Sequence, residues 1–114
     1  MTLLTTQQTK LGGETGKFLH DVFEPALYKN MSSKKWEMCP YVNFESANPE
    51  KGWEAFFDAP RYSSGYAALF STIAFVPETH MLKPFKDRVI STYELMQSII
   101  SESSKYASSI KEKR

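Results

Sequence analysis

The chain has 114 residues, a formal net charge of +1, 41% hydrophobic and 14% aromatic residues. That length suits one domain spanning 1–114, and so many aromatics argue against disorder. The charges are scattered rather than striped, which argues against phosphate-backbone binding and hence against nucleic acid as a partner.

Met1 to Thr6 is rich in β-branched and apolar residues and reads as the end of a strand, so the chain reads as beginning in the middle of a domain. Gly12-Gly13 marks a turn. From Lys17 to Asn30 the apolar pairs Phe18/Leu19, Val22/Phe23 and Ala26/Leu27 recur in steps of four and predict one helical face. Thr15 is its expected cap, and Pro25 predicts a kink or a restart. Ser32 to Lys35 is a polar break. Met38 to Phe44 predicts a strand, with Pro40 arguing for an edge or a bend.

Glu45 to Pro60 reads as a long loop punctuated by Asn48-Pro49, Gly52 and Pro60, and loops of that length are often functional. Ser63-Ser64 is expected to cap a short helix over Tyr66 to Phe70. Thr72 to Val76 is a near-continuous apolar run, the pattern of a strand buried on both faces, ending near Pro77. Pro84 opens the last helix, in which Val89, Tyr93, Met96 and Ile100 form one apolar stripe. The serine-rich stretch 101–109 weakens helix propensity, so 101–114 is expected to fray.

Strands alternating with helices give an α/β class with a small sheet of about three strands and three to four helices. Cys39 is the sole cysteine, so no internal disulfide forms. The longest apolar stretch, Tyr66 to Val76, is too short to span a bilayer, which argues against a membrane partner. No leader pattern follows Met1, and localisation is open. The basic cluster Lys111, Lys113 and Arg114 suits the end of a helix dipole.

Glu78 follows the best strand, at the carboxyl end where open α/β sheets bind ligands. A carboxylate there can serve as general acid or base if burial raises its pKa; the more ordinary role for it is to cap a turn or pair with Lys83. His80 lies two residues on, but the other histidine, His20, is far back and no HxxE or HExxH pair exists, so no metal site is expected in this chain. Arg61 offers a planar fork for a carboxylate, and Tyr62 and Tyr66 bring hydroxyls on apolar bodies. Trp53, Phe56 and Phe57 could line a pocket beside them or simply form core beneath a loop.

The run Asp58-Ala59-Pro60-Arg61-Tyr62-Ser63-Ser64-Gly65-Tyr66-Ala67-Ala68-Leu69-Phe70, followed by Phe75-Val76-Pro77-Glu78-Thr79-His80-Met81-Leu82-Lys83-Pro84, resembles the C-terminal part of the zinc metallocarboxypeptidases. The likeness is closest to the bacterial carboxypeptidase A-like proteins with an ETHMLKP-type segment. The order of elements matches over residues 53 to 100, with a looser likeness back to Thr2. The resemblance implies a mixed-sheet α/β/α carboxypeptidase-like fold of the phosphorylase/hydrolase-like kind.

It also implies that Glu78 is general base for a zinc-bound water and then proton donor to the leaving amine. Arg61, Tyr62, Tyr66 and His80 would hold or cover a peptide substrate. The family's zinc ligands, an HxxE pair and a later histidine, are absent, as are its oxyanion arginines. The chain is therefore expected to be inactive alone and to need a missing N-terminal half of the catalytic domain, or to self-associate. Family members are often secreted or periplasmic. The alternative is a non-catalytic module that binds a peptide or sugar through the Trp53 to Tyr66 aromatics, or an interaction domain that pairs through an open sheet edge.

Overall fold

A computed structural model of the chain describes residues 1–44 and 49–113. β1 (Thr2–Thr5) is the middle strand of a three-stranded mixed sheet in the order β2-β1-β5. β2 (Cys39–Pro40) runs parallel to it and β5 (Phe75–Glu78) antiparallel, with Thr2 opposite Glu78 and Thr5 opposite Phe75. The opening segment is thus a strand, as its composition predicts. The α/β class holds for the described residues, and so does the small size of the sheet.

The first helical stretch is built in pieces. α1 (Gln8–Leu11) ends at Gly12, and α2 (Gly13–Phe18) starts at once. Gly12 and Gly13 have φ of 63° and 48°, a left-handed backbone that side chains resist, so the glycines make the turn. A π turn, Leu19–Phe23, then leads into α3 (Glu24–Ser33). Pro25 explains the wide turn: its ring would strike the Asp21 carbonyl in a regular helix, and it has no N–H to offer. The expected restart therefore falls at Glu24. Phe18, Leu19, Phe23 and Leu27 are buried as their spacing predicts, whereas Val22 is turned outward. Thr15 is not a cap. It lies within α2, buried, and its hydroxyl donates to the Lys113 carbonyl.

The strand expected over Met38 to Phe44 breaks at Tyr41, so that β2 joins the main sheet while β3 (Val42–Phe44) pairs antiparallel with β4 (Trp53–Ala55). Part of the expected loop, Glu45 to Pro60, is therefore strand, with a 3-10 turn at Pro49–Lys51. Its residues 45–48 lie outside the described residues. α4 (Ser63–Ala68) begins earlier than expected, with Tyr62 in the cap position and both serines inside the first turn.

The buried strand also differs from expectation. β5 starts at Phe75, runs through Pro77 and is only half-buried. Thr6 N–H donates to the Ala74 carbonyl at 3.0 Å. Antiparallel pairing alternates from there, so Val76 and Glu78 face β1 and the position of the missing Pro77 N–H faces the open side. A proline costs no ladder bond there.

α5 (Phe85–Lys105) packs its buried residues Ser91, Leu95, Ser98 and Glu102 against α3, and α6 (Ala107–Lys113) folds back on α2. The stretch 101–113 is thus helical but for a break at Tyr106, whose ring meets Phe18 edge-on at 5.6 Å. Phe23 stacks on Phe75 at 5.7 Å and ties the helices to the sheet. The apolar stripe Val89, Tyr93, Met96 and Ile100 points away from all of this.

Candidate functional site

The end of β5 presents Glu78 beside the start of β1, since Thr2 is its register partner. Its carboxylate is exposed, not buried as the acid-base expectation asked, and makes no hydrogen bond or ion pair among the described residues, so the pairing with Lys83 does not form either. Two hollows meet at it. The wider, of about 930 Å³, is lined by Cys39, Tyr41, Trp53, Glu78, His80 and Lys83 among others. The narrower, of about 170 Å³, is lined by Leu4, Tyr41, Phe56, Tyr62, Ser64, Val76 and Glu78 with Ser63. Glu78 and Tyr41 stand on the walls of both.

His80 follows in the turn after β5. Its Nδ1 accepts the Leu82 N–H at 3.3 Å, which fixes the ring and leaves the other nitrogen toward solvent. Lys83 lies near the chain's amino terminus. That ammonium donates to the Glu37 carbonyl at 2.9 Å, and its pKa is lowered, first by burial and then by the Lys83 charge. Cations and a carboxylate thus share the wide hollow's rim.

Arg61 and Tyr62 are joined to each other. The guanidinium donates to the Tyr62 hydroxyl at 2.8 Å and sits over its ring, 4.9 Å from the centroid. Tyr62 in turn meets Phe56 edge-on at 5.0 Å, and Phe56 meets Tyr41 at 5.4 Å. This aromatic row carries Tyr62 to the wall of the narrow hollow. Tyr66 goes elsewhere. It is exposed on α4 and packs on Phe70, 5.2 Å between centroids, lining neither hollow. Of the five residues singled out in the sequence, Glu78 shares the wide hollow with His80 and the narrow one with Tyr62, Arg61 joins through Tyr62, and Tyr66 stays apart.

Two supports were not visible in the sequence. Asp58 is fully buried, and Lys10 reaches it with its ammonium, bonding both the carboxylate and the main-chain carbonyl. Lys10 also covers the Phe57 ring, 4.1 Å from the centroid. Gln7 Nε2 donates to the Phe56 carbonyl at 3.1 Å. Together they clamp the segment before α4 onto α1, which sets where Tyr62 and Ser64 lie.

The donor set does not fit zinc. Among the described residues no three histidine, cysteine, aspartate or glutamate side chains gather as a metal cage would require. Glu78 and His80 alone fall short of the three protein ligands of a catalytic zinc site.

The chain matches no family model, no curated protein and no solved structure. No helix among the described residues is long and apolar enough to cross a membrane.

Proposed function

We propose that the chain is the glutamate-bearing C-terminal portion of a zinc carboxypeptidase-like peptidase, a mixed-sheet α/β/α domain that cleaves a peptide bond at a C-terminus. The observation that carries this reading is Glu78, an uncommitted carboxylate at a strand's carboxyl end where two hollows meet. The DAPRYSSGYAALF and FVPETHMLKP runs support it.

In this reading Glu78 takes a proton from the attacking water and returns it to the leaving amine. That role needs an oxygen free to approach water, which its exposure provides. Tyr62 closes the narrow hollow, with its hydroxyl steered by Arg61. His80 and Lys83 offer donors and positive charge to a substrate carboxylate at the wide one. The metal-binding residues and the oxyanion donors come from another polypeptide segment, so the chain alone is inactive. Its partners are then a peptide substrate and that missing half, with no nucleic acid or membrane needed.

The test is a chimera with the zinc-binding portion of a zinc carboxypeptidase placed ahead of the chain. It should release C-terminal amino acids, and Glu78→Gln should lower the rate by about 10²–10⁴-fold, as loss of a general base does. A soluble, zinc-loaded chimera whose activity is the same with Gln at 78 overturns the reading. So does peptidase activity in the chain alone that Glu78→Gln abolishes.

A second reading, a non-catalytic peptide- or sugar-binding module, is favoured by Trp53. Its side chain is 67% exposed and lines the wide hollow with Tyr41. Aromatic faces of this kind stack on sugars and apolar side chains. Ligand binding that falls with Trp53→Ala but ignores Glu78→Gln would favour it.

A further inference from the structure

We propose that the outer face of α5 is a self-association surface that seats a second copy of this chain. The inference does not depend on the peptidase reading.

Besides Leu95 and Ile99, which pack into the core, α5 carries a second apolar stripe on the side away from the protein. The side packed on α3 carries Ser91, Leu95, Ser98 and Glu102. It mixes core and polar contacts: Leu95 packs with Met31, Ser98 donates to Asn30 Oδ1 at 3.1 Å, and Lys34 meets Glu94 at 2.8 Å. Half a turn round the helix, Val89, Tyr93, Met96 and Ile100 are 50%, 58%, 57% and 66% exposed. A helix designed only to face water carries charges there. Between Arg88 and Lys105 the acidic residues are Glu94 and Glu102, and neither belongs to the stripe. Glu94 is tied to Lys34, and Glu102 is buried.

The spacing of the stripe says what fits it. Steps of four, three and four are those of a coiled-coil seam, whose partner is another helix with the same spacing. A two-fold axis between Tyr93 and Met96 sets Val89 against the partner's Ile100 and Tyr93 against the partner's Met96, large against small. It also runs the two helix dipoles antiparallel. A shallow groove of about 420 Å³ beside Phe85, Val89, Tyr93 and Met96 gives the incoming side chains a seat.

Area agrees. With Phe85 and Ile90, 73% and 36% exposed, the face offers apolar side-chain surface on the order of 600 Å². Its polar rim, Thr92 and Gln97, brings the contact toward the ~800 Å² per partner of a stable complex. A two-fold contact is closed, so it ends at two copies.

The test is the molar mass of the full chain by light scattering, across a dilution series under reducing conditions that keep Cys39 out of the result. The expected mass is twice 13.1 kDa, falling to one copy in Tyr93→Glu and in Met96→Glu, with circular dichroism unchanged. Ser101→Glu, exposed on another side of the same helix, should leave the dimer intact. A wild-type monomer overturns the proposal and assigns the face to a covering segment of a larger domain. A dimer indifferent to both stripe variants, or growth beyond two copies, overturns it as well.

Discussion

Lys10 of the first helix closes on Asp58, forty-eight residues away and wholly out of reach of solvent. The ammonium neutralises a carboxylate that would otherwise be a bare charge in the interior. Removing the cation alone leaves that charge uncompensated, so Lys10→Ala should lower unfolding free energy by about 3–5 kcal/mol. Replacing both partners, as in Lys10→Met with Asp58→Leu, should recover most of the loss. Urea unfolding of the two variants is the check. If the single change costs no more than a surface pair, about 0–1 kcal/mol, the clamp is not structural.

Tyr28 carries the opposite kind of burial. Its hydroxyl is buried with no hydrogen-bond partner among the described residues, and burial followed by the nearby Glu24 charge pushes its pKa up to about 12. An unpaired buried hydroxyl is a cost to folding. Tyr28→Phe should therefore leave stability unchanged or raise it by up to about 1 kcal/mol. A loss well beyond that in chemical unfolding would show that the hydroxyl has a partner in solution.

Glu24 makes stability depend on pH. Burial raises its pKa above the ordinary 4.5, against a hydroxyl bond from Thr5 and the His20 charge. A raised carboxyl binds its proton more tightly folded than unfolded. Its contribution is present below 4.5 and is lost as pH rises through the folded value. Glu24→Gln removes that loss. The variant should therefore gain stability relative to the parent as pH rises above 4.5, measured by denaturant midpoints at each pH. An equal difference at every pH would mean the carboxyl does not titrate differently in the two states.

The sequence tells most where spacing meets burial. The pairs through Phe18, Leu19, Phe23 and Leu27 predict the buried face of the first helices, and Pro25 marks the restart. The opening strand shows in its β-branched run. Glu78 at a strand end could be read in advance, because a strand's end is a local feature. Other features were not local. Trp53 pairs as strand only because Phe44 lies opposite it. Pro77 stays within β5 only because its missing donor faces the open side. The stripe on α5 shows in the sequence as an apolar face, but periodicity alone does not say which side of a helix is covered. Serines on the covered side, holding hydrogen bonds to Asn30 and the α5 backbone, reversed the simple expectation. Arg61, Tyr62 and Tyr66 look alike in sequence, and only the turn of α4 separates Tyr66 from the others.

Gly65 tests how firmly that turn is set. In α4 the glycine lies against the segment that Lys10 clamps, and a Cβ there would come 2.0 Å from the Asp58 carbonyl oxygen and 2.4 Å from that of Ala59. Both are main-chain atoms, so no side chain can swing away. Gly65→Ala must push the helix off, at about 1–3 kcal/mol. Ser64 and Tyr62 would move with it, and both wall the narrow hollow beside Glu78. The expected result is a destabilised chain that, in the chimera, loses activity out of proportion to the fraction unfolded. Gly52→Ala is the comparison. Its Cβ would meet none of the described residues within 4 Å but sits at a φ of 110°, so it costs stability away from the narrow hollow. If the two variants lose activity only in step with their stability, the close approach at Gly65 does not position the site.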